Sequence, residues 1–180
     1  MRTKIGVIGS ATGPISDGLS IKAREIGEQT ASRGCILVTG AGMGLPYEAA
    51  RGASSRGGYV VGISPAANEA EHVTKYAFPL EHFDLIIYTG FGLKGRNVVF
   101  VRTCDCLIVV SGRIGTLNEF TIAYDEGKSI GVLTGSGGIS EMVEHIVQTA
   151  GKERGEIIFD SDPSNLVQKI VDLSISQPHE

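Results

Sequence analysis

The chain has 180 residues, a formal net charge of −4 and 42 % hydrophobic residues, enough for one domain that buries about 70 % of its unfolded surface. The acidic balance excludes the basic field that drives duplex nucleic-acid binding and leaves no polybasic membrane patch, so neither nucleic acid nor membrane is expected as a partner. No stretch approaches about 18 apolar residues, and the apolar run in "MRTKIGVIGS" is far shorter than a signal-peptide core, so a cytoplasmic protein is expected.

Short apolar runs rich in Val and Ile alternate with amphipathic stretches along the whole chain. The runs are "KIGVIG" (4–9), "CILVT" (35–39), "YVVGI" (59–63), "DLIIYT" (84–89), "CLIVV" (106–110), "SIGVL" (129–133) and "EIIF" (156–159). Near-continuous apolar strands are what a parallel sheet covered on both faces requires. Helices are predicted between them at 16–33, 45–56, 94–104, 116–126, 139–150 and 163–174. Ser16 is placed as an N-cap, Pro46 in a first turn, Gly34 and Gly127 just past helix ends, and Asp162 ahead of Pro163. The pattern predicts an α/β fold, a single Rossmann-like domain over 1–180 with a three-layer doubly wound parallel sheet of about seven strands.

Two segments depart from the rhythm. "SPAANEAEHVTKYAFPLEHF" (64–83) has no clear period and two prolines, and it reads as a lid or a partly helical excursion. In "KGRNVVFVRTC" (94–104) four consecutive apolar residues, Val98 to Val101, put apolar groups nearly all round a helix. A subunit interface, in a homodimer or homotetramer, is the expected reason, with burial under the excursion as the alternative. Cys35, Cys104 and Cys106 read as reduced, packed thiols. His72, His82, His145 and His179 show no metal-ligand spacing, with His179 in the polar C-terminal tail, so no metal is assigned.

Ligands of an open parallel sheet bind beyond the carboxyl ends of the strands, near the point where strand order reverses. Glycine stands at 25 residues, about twice the ordinary share of roughly 7 %, and it gathers at those ends. "GSATG" (9–13), "TGAGMG" (39–44), "TGFGLKG" (89–95) and "SGRIG" (111–115) each follow a predicted strand. Glycine lets backbone amides approach a phosphate, and a following helix N-terminus adds partial positive charge, although an ordinary left-handed turn explains any one cluster alone. A nucleotide or other phosphate-bearing small molecule is therefore the expected partner. Gly9, Ser10, Gly40, Gly42, Gly44, Asn97, Gly112, Arg113, Gly115 and Thr116 are the candidate contacts.

Familiar nucleotide motifs are missing. "GSATGP" does not spell GxGxxG, and no acid follows "VTGAG" to hold a ribose, which weighs against ordinary NAD binding. The "GKS" at 127–129 has Ile122 where a P-loop has its first glycine, and it precedes a strand. No GxSxG elbow surrounds Ser10 or Ser136, and no lysine has a pyridoxal-phosphate context. No cofactor is assigned.

"TGAGMGLPYEAARGA", "GLKGRN", "SGRIGTLNE" and "EGKSIGVL" resemble, in order and spacing over residues 3–150, the LOG-like family of Rossmann-type proteins once labelled lysine decarboxylases. The likeness is nearest the branch of the molybdenum cofactor carriers. It implies a nucleotide-binding sandwich that assembles as an oligomer. In the catalytic members it implies hydrolysis of a nucleoside 5′-monophosphate to free base and ribose 5-phosphate. The family marker PGGxGTxxE puts its glutamate on Glu119 and its phosphate-gripping GT on Gly115 and Thr116, and its catalytic arginine falls on Arg96. Where the marker has PGG this chain has Ser111, Gly112 and Arg113, a departure that favours a non-catalytic carrier, as the "GRN" around Arg96 also does.

Chemically, a carboxylate beside the anomeric carbon stabilises oxocarbenium charge or activates water. Plainer readings stand beside these roles. "TLNE" spells a capping box in which Thr116 caps the helix and Glu119 reaches back, Arg96 suits an ordinary ion pair, and Asn97 suits a first turn. Arg113 either grips an anion, folds across the pocket, or points into solvent.

Overall fold

In the computed structural model, which describes residues 1–151 and 155–176, seven strands form one all-parallel sheet in the order β4-β3-β2-β1-β5-β6-β7. In chain order the elements are β1 (Lys4–Gly9), α1 (Asp17–Ser32), β2 (Ile36–Thr39), α2 (Leu45–Ser55), β3 (Tyr59–Ser64), α3 (Glu69–Thr74), β4 (Leu85–Tyr88) and α4 (Gly92–Thr103). They continue with β5 (Cys106–Val110), α5 (Ile114–Asp125), β6 (Ser129–Leu133), a 3-10 turn (Gly138–Met142), α6 (Val143–Ala150), β7 (Ile157–Asp160) and α7 (Pro163–Ser176). The chain winds outward from β1 to β4, returns to β5 beside β1, and winds the other way. Strand order therefore reverses between β1 and β5, whose last residues Gly9 and Val110 stand opposite each other.

Alternation along the buried strands sorts the core into two layers. Ile5, Val7, Leu37, Val60, Ile108 and Val110 pack under α1, α2 and α7, whereas Ile8, Val38, Val61, Leu107, Val109 and Val132 pack under α4, α5 and α6. Each layer needs the other side of the same strands, so a polar residue in either set would be buried. On the first face α1 and α2 approach closely enough that a Cβ on Gly27 would strike the Ala49 carbonyl, and one on Gly52 the Arg24 carbonyl.

The expected start signals act through geometry. The Ser16 hydroxyl accepts from the Leu19 amide at 3.3 Å, and the Asp162 carboxylate from the Asn165 amide at 2.8 Å. Pro46 stands in the first turn of α2, where no intrahelical donor is lost. The three thiols are free and buried. His179 lies outside the described residues.

The excursion is partly helical. Asn68 caps α3, and buried His72 ties both limbs, with Nδ1 2.8 Å from the Ser64 hydroxyl and Nε2 3.0 Å from the Pro79 carbonyl oxygen. α4 begins at Gly92, two residues before the predicted start, and resolves the apolar run into two faces. Phe100 and Val101 are buried against the sheet, while Leu93 and Val98 face outward beside exposed Phe91. Among the described residues no helix is long and apolar enough to cross a membrane.

Candidate functional site

The carboxyl ends of β5, β1 and β2 carry three loops that interlock before they offer anything to a ligand. Gly9 lets β1 approach the Val110 carbonyl, Gly44 receives the Ser10 carbonyl and Ala11, and the ring of Phe78 rests on Gly42. The returning limb of the excursion thus sits on the "TGAGMG" loop. The missing side chains of Gly9, Gly42 and Gly44 therefore make room for other protein atoms, and of the candidate glycines Gly115 faces open space.

The loop after β5 is held by hydroxyls. Ser111 has φ of 59°, a left-handed conformation that costs a non-glycine residue of order 1 kcal/mol and persists only where its surroundings enforce it. They do: the Ser111 amide donates to Ser136 Oγ at 2.8 Å and the Ser111 carbonyl accepts from the Ser140 amide at 3.1 Å. Next to it the Gly112 amide donates to Ser10 Oγ at 3.1 Å, and Ser10 Oγ lies 3.2 Å from Ser111 Oγ. Ser10, Ser111, Ser136 and Ser140 thus fix the turn from β1, β5 and the loop after β6. The last of these loops, "TGSGG" at 134–138, has the same strand-then-glycine pattern as the four clusters that drew attention in the sequence, and it was the legible signal for this support.

After that turn the helix begins earlier than the capping-box reading requires. Arg113, in extended backbone, is the N-cap of α5 and has no side-chain capping bond, and Leu117 makes the first backbone bond, to the Arg113 carbonyl at 2.9 Å. Thr116 is consequently the third helical residue, buried beneath Gly112, and Glu119 lies well inside the helix. The capping box is thereby corrected: the positive φ of Ser111 and Gly112 (59° and 110°) swings the chain into the helix two residues sooner. The amides of Arg113, Ile114, Gly115 and Thr116 are the four unpaired donors of a helix N-terminus, aimed at the crevice where strand order reverses.

Glu119 finds its partners on α4 instead. Arg96, in the second turn of that helix, is buried with its guanidinium 5.9 Å from the centre of the Phe100 ring, and Nη1 donates to Glu119 Oε1 at 3.4 Å. Gly40 makes the room, because a Cβ there would collide with the guanidinium. Arg96 Nε is buried without a hydrogen-bond partner among the described residues. The Asn97 side-chain amide meets that of Asn118 at 2.8 Å, and with the Asn97 amide turned its nitrogen donates to Glu119 Oε1 at 3.2 Å and to the Leu93 carbonyl at 3.0 Å. Burial pushes the Glu119 carboxyl up to about 7 against the opposing pull of Arg96. Burial likewise lowers Arg96, with Glu119 acting the other way. The pair is an acid poised near neutrality beside a permanent cation that is short of acceptors.

Arg113 does not point away. Its guanidinium lies against Gly13 in the loop after β1, spanning the crevice, and a Cβ on Gly13 would collide with it. Gly13 was not among the sequence-derived contacts, and nothing local in "GSATG" marks it as the seat for an arginine about a hundred residues away.

Residues 2–167 match the model of the SLOG cluster4 family. A protein of Archaeoglobus fulgidus described as uncharacterized is 35 % identical over 130 residues, 72 % of this chain and 79 % of that one. The molybdenum cofactor binding protein of the phototrophic bacterium Rippkaea orientalis matches with a TM-score of 0.80 and 25 % identity, covering 96 % of this chain and 98 % of that one. The molybdenum cofactor carrier protein of Chlamydomonas reinhardtii shares the fold, with a TM-score of 0.79 at 24 % identity over 98 % of this chain and 100 % of that one.

Proposed function

The chain belongs to the SLOG cluster4 family, and from that premise we propose that it binds a phosphate-bearing heterocyclic small molecule, of nucleotide or pterin type, across the carboxyl ends of β5, β1 and β2. The observation that carries this reading is the open first turn of α5 at the reversal of strand order, held rigid by four serines. In this proposal the phosphate sits on the amides of Arg113 to Thr116. The heterocycle extends toward the Gly40–Gly44 loop, where the exposed side chain of Met43 offers apolar surface, as exposed Ile114 does at the start of α5. Reversible holding, as in a carrier, is the role we favour, and the carrier of Chlamydomonas reinhardtii and the binding protein of Rippkaea orientalis, whose fold is shared, support it.

A second reading is favoured by Glu119. A buried carboxyl poised at about 7 suits a general base. Glu119 also lies three residues after Thr116, hence on the same helix face as the phosphate seat. In that reading Glu119 takes a proton from water as it attacks the anomeric carbon of a nucleoside 5′-monophosphate. The N-glycosidic bond breaks, the base takes up the proton that Glu119 removed from water, and ribose 5-phosphate remains. Arg96 would orient the carboxylate and ligand.

The two readings separate in one experiment. Purified protein is titrated with AMP, GMP, CMP and UMP by calorimetry, and free base is assayed after long incubation at high protein concentration. Binding without base release supports the carrier, release supports the hydrolase, and absence of binding by any nucleotide, phosphate or pterin phosphate refutes both. We also propose that the outer face of α4 pairs copies of the chain as a homodimer or homotetramer, because Phe91, Leu93 and Val98 lie exposed there, beside an edge strand that exposes Leu85 and Ile87. Light scattering on Val98→Lys against the parent checks that. The three buried free thiols fit work in the reducing cytoplasm.

A further inference from the structure

We propose that Arg113 makes this pocket prefer ligands with two adjacent phosphates, such as a nucleoside diphosphate or a pyrophosphate ester, over those with one. The inference rests on the binding reading above and concerns the same crevice.

Three observations point there. First, the Arg113 guanidinium is seated on the far wall of the crevice, against Gly13, whose φ of 93° and missing Cβ make that seat available. Second, it is the described arginine left with nothing to bind. Arg24, Arg51, Arg56 and Arg102 each pair with a glutamate, Arg96 pairs with Glu119, and Arg2 and Arg33 donate to carbonyls or glutamine. Arg113 has no such partner among the described residues. Third, Arg96 Nε, nine-tenths buried at the same carboxyl edge, is also short of an acceptor.

The donors divide into two sets. The amides of Arg113 to Thr116 are directed along α5 and suit the three terminal oxygens of one phosphate. The guanidinium sits across the crevice from that turn and presents a planar fork, which matches two oxygens of a neighbouring phosphate bidentately. A ligand with one phosphate engages the amides and leaves the fork empty, whereas a diphosphate fills both.

The test is calorimetric titration at fixed ionic strength with AMP against ADP, and with inorganic phosphate against pyrophosphate. The parent protein is expected to bind the diphosphate member of each pair at least tenfold more tightly. Arg113→Ala, a change at an exposed side chain, is expected to bring each ratio below threefold by weakening the diphosphate member more than the monophosphate one. Arg113→Lys keeps the charge but not the fork and is expected to fall between. Gly13→Ala is expected to follow Arg113→Ala because it evicts the guanidinium. Arg56→Ala, which removes a distant surface charge, is expected to keep the parent ratio. The proposal is overturned if the parent shows no diphosphate preference, if Arg113→Ala retains it, or if Arg113→Ala weakens both members of a pair equally. Failure of all four probes to bind overturns this inference together with the nucleotide form of the binding reading, whereas AMP binding without ADP preference overturns the inference alone.

Discussion

Replacing Glu119 by glutamine should make the protein's stability less dependent on pH between about 4.5 and 7. In the unfolded chain the carboxyl ionises near 4.5, and in the fold burial pushes it up to about 7. A displacement of that size corresponds to about 3 kcal/mol. Its sign follows from which form the fold prefers. The fold holds the protonated carboxyl more readily than the unfolded chain does, so this contribution is complete below about 4.5 and is lost as pH rises through about 7. The substituted amide would keep the hydrogen-bonding shape and never ionise. Arg96 stays charged over the range, and its pull on the ionised carboxylate is already contained in the value of about 7. Urea unfolding of parent and Glu119→Gln at pH 4.5, 5.5, 6.5, 7.5 and 8.5 gives the stability difference directly. Parent minus variant should fall by up to about 3 kcal/mol across the series and level off above pH 8. A difference that stays constant within about 0.5 kcal/mol from pH 4.5 to 8.5 would falsify the assignment of a buried, strained carboxylate.

Other changes test neighbouring parts of the structure. Arg96→Met should cost more at pH 8.5 than at pH 5.5, because Glu119 is then left ionised and unpaired in a buried place; the comparison is again by urea unfolding. Ser136→Ala leaves the Ser111 amide without its acceptor and should lower stability by about 1–3 kcal/mol, with weaker phosphate binding as the turn relaxes. Gly27→Ala forces a methyl into the Ala49 carbonyl at the α1–α2 crossing and should cost about 1–3 kcal/mol, read as a shift of the urea midpoint at constant slope.

The sheet was legible because its strands are buried on both faces, so apolar runs of four to six residues stand out wherever they occur. Boundaries moved where the backbone obeyed something other than hydrophobic period. α5 starts at Ile114 because Ser111 and Gly112 turn with positive φ, and "TLNE" matches a capping box only as a string of letters. The four glycine clusters were visible, and their place at one edge of the sheet followed from the fold rule. What each glycine does was not visible, since Gly9, Gly40 and Gly44 meet Val110, Arg96 and Ser10, contacts set by tertiary packing. The same is true of Arg113, whose direction depends on a glycine in the loop after another strand. The pairing of Arg96 with Glu119 joins two helices through residues 23 positions apart. The chain order alone offered those two residues only through family resemblance.

Glu119 should also couple ligand binding to proton uptake. An anion held a hydrogen bond beyond the first-turn amides of α5 lies about 8 Å from a residue three positions after Thr116. Repulsion between one unit of its charge and an ionised Glu119 amounts to roughly 0.5 kcal/mol in bulk-like surroundings and roughly 2 kcal/mol at an effective dielectric of 20. Because the carboxyl is poised near 7 before anything binds, even the smaller figure shifts a sizeable fraction of it to the protonated form when an anion arrives. Sulfate is the suitable probe, since it remains a dianion across the whole range and any pH dependence belongs to the protein. Its affinity should weaken at least threefold between pH 5.5 and 8.5. Titrations at pH 7 in two buffers of different ionisation enthalpy should show fractional proton uptake. In Glu119→Gln both effects should vanish while sulfate still binds. If the variant shows the same uptake as the parent, the proton goes elsewhere and Glu119 lies too far from the anion to sense it.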